Sequence, residues 1–243
     1  FLQHAARVFD LLATCLAEIA KLSDDETLIY LHSTISTKRH PVVTPELPVF
    51  LDAVLADEPF AGGLEPMIGE AHLRTLTILG FPASTLPGML DELNRLGFSY
   101  RWTTRYIALD KAEAEKLLAK KRRHWFAKRK SVGAVLRETL FNEQAALLDN
   151  DADNKAADAD AALQELGSDL VSYGYVTTTI SVCDPDRRLV EEHLRIAERI
   201  INCRGFTAIR ETLNAVEAWL GSLPGHAYAN VRQPILHTLN LAH

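Results

Sequence analysis

Four stretches predict strands, at residues 27–36, 73–81, 98–109 and 176–183. Apolar and polar residues alternate along the first, third and fourth, which predicts one buried face in each of them. In the third, Arg101, Thr103 and Arg105 lie opposite an aromatic-rich face. In the fourth, a Thr and Ser face lies opposite an apolar one. A shorter run at 206–211 predicts a fifth strand.

Apolar residues at three- and four-residue spacing predict helices between these strands. The predicted helices lie at 1–20, 47–56, 85–97, 185–204 and 213–220, with Ser84 or Thr85 as the cap of the third. The helix after Cys183 has the clearest signals. Asp184 and Pro185 are typical of a helix start, Gly205 is typical of a helix end, and the stripe that faces the core is Val190, Leu194, Ala197 and Ile201.

One long segment, from about Lys111 to Tyr173, has no proline and is rich in Lys, Arg, Glu, Ala and Leu. As one helix it would be about 90 Å long, which is far more than a compact domain needs. We therefore expect it to fold back as a helical hairpin. The expected reversal is a polar turn in the acidic stretch from Asp149 to Asp160.

Strand, helix and strand precede this segment, and the same order follows it. The pattern predicts an α+β fold with a mixed sheet built from two β-α-β units of the split, ferredoxin-like kind. We expect helices on one face of the sheet and a long charged helical arm between the units. The expected portions are 1–109, the arm at 110–173, and 174–243.

The composition is that of a globular protein with an adequate core, with 47% hydrophobic and 24% charged residues and a net charge of -6. Cys15, Cys183 and Cys203 are odd in number and far apart, so we expect buried, unpaired thiols in a reducing compartment. The apolar run 11–20 is too short for a membrane span, and no signal peptide is apparent.

Basic residues concentrate at the start of the arm, with Trp125 and Phe126 among them. Such a patch suits an acidic partner, an anionic membrane surface or a nucleic acid, and it is also typical of a solvated helix face whose aromatic residues pack inward. The sequence leaves these alternatives open. The basic residues are Lys116, Lys120, Lys121, Arg122, Arg123, Lys128, Arg129 and Lys130.

The remaining patterns give little support for a metal-binding, catalytic or nucleotide-binding site. Asp149, Asp151, Asp153 and Asp160 imitate the spacing of a calcium-binding loop, but Asn154 stands where that loop needs glycine. The nine histidines have no metal-binding helical spacing, and the chain has no Gly-x-Ser-x-Gly elbow and no Gly-x-x-x-x-Gly-Lys-Ser/Thr loop. We therefore predict no catalytic, cofactor-binding or metal-binding residues in this chain.

Four stretches nevertheless resemble the N-terminal region of the TrbE/CagE family, the large cytoplasmic ATPases of conjugation and other type IV secretion systems. The most specific stretch is Trp219-Leu-Gly-Ser-Leu-Pro-Gly225, followed by Asn230 and Arg232. The others are Thr77-Ile-Leu-Gly-Phe-Pro82, Leu86-Pro-Gly-Met-Leu-Asp-Glu-Leu93 and the strand from Tyr100 to Arg105.

The resemblance implies a non-catalytic module of a larger ATPase, whose motor domain would bind ATP and magnesium outside this sequence. It further implies docking on inner-membrane subunits of the secretion machine, self-association as a hexamer, and a cytoplasmic location peripheral to the inner membrane. A role in pilus assembly and substrate passage would follow. A nucleic-acid-binding module that uses the basic helix at 116–130 is the alternative function.

Overall fold

The computed structural model describes residues 1–82, 85–129, 150–168, 171–226, 228–229 and 231–241, and for residues 122–129, 150–157 and 159 it describes the backbone alone. The helices are α1 Leu2–Cys15, α2 Asp24–Ile35, α3 Leu51–Leu55, a 3₁₀ helix Asp91–Arg95, α4 Lys111–Arg129, α5 Asn150–Gly167, α6 Arg187–Cys203, α7 Ala215–Leu220 and α8 Thr238–Leu241. The strands are β1 Phe60–Ala61, β2 Met67–Ile68, β3 Ala71–Gly80, β4 Arg101–Ala108, β5 Tyr173–Asp184, β6 Thr207–Glu211 and β7 Ile235–His237.

Four strands form the centre of the sheet in the order β6-β3-β5-β4, and each neighbouring pair is antiparallel. Strands β3 and β4 therefore run in the same direction, with β5 between them. Strands β5 and β6 also run in the same direction, with β3 between them. This is the arrangement of two split β-α-β units. The α+β class is confirmed, although the described pairings are antiparallel rather than mixed. Strands β1, β2 and β7 are short additions that the sequence analysis missed.

Helix α6 supplies the main core. Its buried residues are the predicted stripe of Val190, Leu194, Ala197 and Ile201. They pack on the face of the sheet that carries Leu76, Ile78, Ile180 and Val182. The helix begins two residues later than predicted, because Asp186 rather than Asp184 accepts a bond from the backbone N–H of Arg188. It ends before Gly205, whose φ of 82° only glycine adopts readily.

The predicted first strand, residues 27–36, is wrong. These residues lie in α2, which begins with a capping box between Ser23 and Glu26. The Ser23 hydroxyl accepts from the backbone N–H of Glu26, and the Glu26 carboxylate accepts from the backbone N–H of Ser23. This exchange satisfies two donors that a helix start leaves unpaired. The prediction depended on the alternation of Ile29, Leu31 and Ile35, which suits the two-residue period of a strand, whereas the segment has the 3.6-residue period of a helix.

Three smaller predictions are also corrected. The helix predicted at 85–97 is a turn followed by the short 3₁₀ helix, and its candidate cap Ser84 lies outside the described residues. The helix predicted at 47–56 is limited to α3. The three cysteines are free but exposed, not buried.

Elements cover both faces of the sheet rather than one. On the face opposite α6, Leu73 packs with Ile68 and with Trp219 of α7. Strand residues on this second face are largely polar and include Thr75, Thr77, Thr179 and Ser181, each at most 5% exposed. A polar sheet face is therefore buried beneath α2, α7 and the segment that follows α7.

Candidate functional site

A helical arm leaves the sheet between β4 and β5, where the simplest split β-α-β fold has only a hairpin. Asp110 starts α4 by accepting a 2.7 Å hydrogen bond from the backbone N–H of Glu113. Helix α5 returns beside α4, so the predicted hairpin is confirmed. Its root is fixed to the body by a separate apolar cluster of Ala114, Leu118, Leu166, Val171 and Tyr173.

The predicted reversal of the arm is in the wrong place. Helix α5 already begins at Asn150, so Asp151, Asp153 and Asp160 lie in continuous helix. A turn and a calcium-binding loop both need irregular backbone at these positions, and the helix excludes both. The remaining member of that spacing, Asp149, lies outside the described residues.

The two helices of the arm have opposite charge. Helix α4 carries eight Lys and Arg residues against two Glu residues, whereas α5 carries five acidic residues against one Lys. Antiparallel helices of opposite charge attract each other along their length, although solvent screens most of this attraction. The arm thus combines a basic helix with an acidic one, a segregation of charge that the net charge of -6 for the whole chain does not reveal.

The structure divides the predicted basic patch. Lys116 and Lys120 are one helical turn apart and exposed, and they lie on the side of α4 away from Ala114 and Leu118. Lys121 is also exposed, but it lies on the same side as those two apolar residues, where desolvation lowers the pKa of its ammonium group. For Arg122, Arg123, Lys128 and Arg129 the helical backbone alone is described, and Lys130 lies outside the described residues.

Two arginines of the edge strand β4 hold the segment that follows α7 on the polar sheet face. Arg101 donates to the carbonyl oxygen of Thr34 in α2, and its Nη2 donates to Ser222 Oγ at 2.7 Å. Arg105 donates to the carbonyl oxygens of His226 and, at 2.6 Å, Ala229. The Leu-Pro-Gly stretch at 223–225 therefore lies between two arginine-bonded points.

A third set of contacts, at Arg232, attaches the same segment to the sheet. Thr177 Oγ1 on β5 donates to the carbonyl oxygen of Arg232 at 2.6 Å, and the Arg232 guanidinium donates to both oxygens of the buried Glu211 carboxylate at 3.1 and 3.2 Å. This pairing raises the pKa of Arg232 above its ordinary value. These contacts run from side chains to backbone or between opposite charges, so their evident effect is to position the segment.

Two clefts border this polar face. One, of about 980 Å³, is lined by residues that include Glu58, Arg101 and Ser181. The other, of about 950 Å³, lies between β4 and residues 221–226. Burial in this region lowers the pKa of the Arg101 guanidinium. Arg101 and Arg105, which line the clefts, are already bonded to neighbouring segments, and this favours recognition or support over bond-making chemistry.

One set of described side chains has the geometry of a metal site. His32, His40 and Asp57 each offer a ligand atom, and these atoms lie within 4.8 Å of one another. Hydrogen bonding to His40, above all, holds the pKa of Asp57 well below its ordinary value. The pKa of His40 is raised by the Pro41 carbonyl and by Asp57. Spacing along one helix does not reveal this set, because the three ligands come from α2, the loop that follows it and the residues just after α3.

Among the helices of the described residues, none combines the length and the apolarity that a bilayer crossing requires.

The chain is similar to known conjugal transfer proteins. The sequence model of the CagE, TrbE, VirB family, a component of the type IV transporter system, matches residues 125–232. A probable conjugal transfer protein TrbE of Sinorhizobium fredii is 38% identical over 218 residues. The conjugal transfer protein TrbE of Rhizobium radiobacter is 37% identical over the same length. This chain is similar to part of a TrbE/CagE-family protein.

The two TrbE relatives align with 90% of the present chain, but the chain spans only about a third of the first relative's length and a quarter of the second's, at 32% and 26%. The family match runs from within α4 through β5, α6, β6 and α7 to Arg232. It therefore includes the segment that Arg101, Arg105 and Glu211 attach to the sheet. The resemblance stated from the sequence is confirmed at the level of the family.

Proposed function

We propose that this chain is a non-catalytic docking and assembly module of a conjugal transfer ATPase. The observation that carries the proposal is the arm. It has an apolar root packed on the body, segregated charge on its two helices, and exposed lysines on the outer side of α4. A charged helical projection on a rigid body suits recognition of a partner of opposite charge, because complementary charge guides association and fixes the register of docking.

In this proposal the energy comes from the longer parent protein. The parent would bind and hydrolyse ATP with magnesium to drive pilus biogenesis and the transfer of DNA or protein. The sequence described here has no Gly-x-x-x-x-Gly-Lys-Ser/Thr loop with which to hold the phosphates in that way. Its partners would be inner-membrane subunits of the secretion system and further copies of the parent, assembled as a hexamer at the cytoplasmic side of the membrane.

The test reverses charge on the arm in the full-length parent. Lys116→Glu together with Lys120→Glu changes two exposed positions without touching the apolar root of the hairpin. Like charges brought together in an interface cost several kcal/mol, so transfer of a plasmid from donor cells should fall by at least about tenfold. The fraction of the parent protein recovered with the inner membrane should fall with it.

A matched control reverses two exposed charges elsewhere. Arg188→Glu together with Arg199→Glu lies on α6, where both positions are exposed to solvent. Donor cells that carry this control should transfer plasmid at the same frequency as donor cells with the unchanged protein. The proposal fails if the arm variant, with an unchanged circular dichroism spectrum, transfers normally, or if both double variants fail equally. It also fails if the purified chain itself hydrolyses ATP.

The eight basic residues of α4 also favour a second candidate, a nucleic-acid-binding module. Neutralising phosphates releases counterions, so such binding would weaken steeply with salt. Changing Lys120, Arg122 and Arg123 together to Ala should then reduce both the affinity for DNA and the slope of its salt dependence. If this change does not alter DNA binding, the nucleic-acid-binding role is excluded. The docking proposal is unaffected by that result.

A further inference from the structure

We propose that His32, His40 and Asp57 form a binding site for a divalent transition metal, with Zn²⁺ as the expected ion. The site would join three elements that are separate in sequence: the C-terminal half of α2, the loop that follows it, and the residues just after α3. The inference does not depend on the proposed docking role, since it concerns the region before the sheet and not the arm.

The distances suit one ion. His32 Nε2 lies 3.2 Å from Asp57 Oδ1, and His40 Nε2 lies 3.0 Å from Asp57 Oδ2. The two imidazole rings have centroids 4.5 Å apart. Ligand atoms of a tetrahedral zinc ion lie about 3.4 Å from one another when the bonds are about 2.1 Å long, so small side-chain rotations would enclose the ion.

When the His40 ring is neutral, its hydrogen bond to Pro41 leaves a lone pair directed at the Asp57 carboxylate. Its Nδ1 lies 3.0 Å from the carbonyl oxygen of Pro41, which can only accept, so Nδ1 carries the proton. In the neutral ring, Nε2 is then an acceptor that faces another acceptor, Asp57 Oδ2. Either a proton or a metal ion between the two atoms removes this repulsion. A ligating histidine whose other nitrogen donates to a carbonyl is the usual second-shell arrangement of a metal site.

His32 gives the second, independent observation. Its side chain is 2% exposed, and its Nε2 is a buried atom with no hydrogen bond of acceptable geometry, as is the facing Oδ1 of Asp57. The two atoms face each other at 3.2 Å, and either a proton on His32 or a metal ion between them would satisfy both at once. His40 is 46% exposed, so the pocket is open on that side for entry of the ion and for a water molecule as fourth ligand.

The ligand set indicates the class of metal. Two imidazoles and one carboxylate suit zinc and its neighbours, whereas calcium and magnesium prefer oxygen atoms alone. Lys38 opposes the ion, because its Nζ lies 3.6 Å from Asp57 Oδ2 and also donates to the Asp57 carbonyl at 2.9 Å. The lysine is 52% exposed, so its side chain can move into solvent when a cation binds.

The test is calorimetric titration with Zn²⁺, with Co²⁺ absorption as a report on tetrahedral nitrogen and oxygen coordination. All proteins would carry Cys15→Ser, Cys183→Ser and Cys203→Ser, since exposed thiols bind zinc by themselves. The chain should bind one Zn²⁺, and Mg²⁺ should not compete. His40→Ala and Asp57→Asn should each weaken zinc binding by at least about 100-fold, since loss of a mere outer-shell partner already costs 10–100-fold.

Two further variants separate a metal site from a network of charged side chains. His4→Ala removes an exposed histidine of α1 and should leave zinc affinity unchanged. Lys38→Ala removes the opposing charge and should strengthen zinc binding. If the unchanged chain binds no Zn²⁺, if His40→Ala binds it as tightly as the unchanged chain, or if Lys38→Ala binds it more weakly, the three side chains form an ion-pair network only and the inference is wrong.

Discussion

Helices α1 and α6 both repeat apolar residues at three- and four-residue spacing, yet only α6 buries them. The four stripe residues of α6 are at most 1% exposed, whereas no residue of α1 is buried. In α1, Leu2 is 81% exposed, Leu11 59% and Leu12 44%. The same pattern therefore predicted two helices correctly and said nothing about which of them would find a partner in the sheet.

The difference follows from what surrounds each helix in the chain. Helix α6 connects β5 to β6, and both of these strands pair with β3, so the short connections force the helix onto the sheet. Helix α1 leads into α2 through residues 16–23. Its contact with that connection includes Lys21, whose Nζ lies 5.0 Å from the centre of the Phe9 ring.

The sharpest test of this contrast is the loss of a stripe residue. Leu194→Ala removes a side chain that is 1% exposed and leaves a cavity between α6 and the sheet. The free energy of unfolding should fall by about 2–5 kcal/mol in urea titration. Leu189→Ala on the same helix is the control, because Leu189 is 47% exposed and should cost less than about 0.5 kcal/mol. Equal losses would mean that α6 is not the core helix.

A smaller effect is expected at the start of α2. Ser23→Ala removes the hydroxyl that accepts from the backbone N–H of Glu26. Loss of such a cap costs about 1 kcal/mol, and the same titration would measure it. Ser33→Ala is the control, since its hydroxyl bonds only to the carbonyl of Tyr30 within the helix. If Ser23→Ala changes nothing, residues 27–36 are not held as a helix by this cap.

The smallest effect is expected in α1. Leu11→Ala truncates a side chain that is 59% exposed, so the free energy of unfolding should change by less than about 0.5 kcal/mol. The comparison between the two helices breaks down if this substitution destabilises the purified chain as much as Leu194→Ala does. That result would place the apolar face of α1 against the body of the protein.

Local signals explain which parts of the fold were predicted. Strand β5, the α6 stripe and Gly205 were each marked by alternation, by helical spacing or by a residue with special backbone freedom. The error at α2 shows the limit of alternation. Ile29, Leu31 and Ile35 fit a strand when taken alone, and the Ser23 and Glu26 capping box, three residues apart, was the signal that identified the helix.

Both candidate sites depended on contacts that no local pattern contains. His40 and Asp57 are 17 residues apart, and Arg105 reaches a carbonyl 124 residues away at Ala229. Sequence spacing marks residues on one face of one element, so it misses ligands that different elements bring together. The basic residues of α4, in contrast, were visible at once because they are neighbours in sequence.

The sequence by itself determined the α+β class, the helical arm and the resemblance to the TrbE/CagE family, because alternation, charge and short motifs are local properties of the chain. Only the tertiary structure decided which amphipathic helix is buried, that a Thr and Ser face of the sheet is covered, and that two histidines and an aspartate meet. The physical reason is that burial and ligand geometry arise from packing between distant segments, which fixes the environment of a side chain independently of its neighbours in sequence.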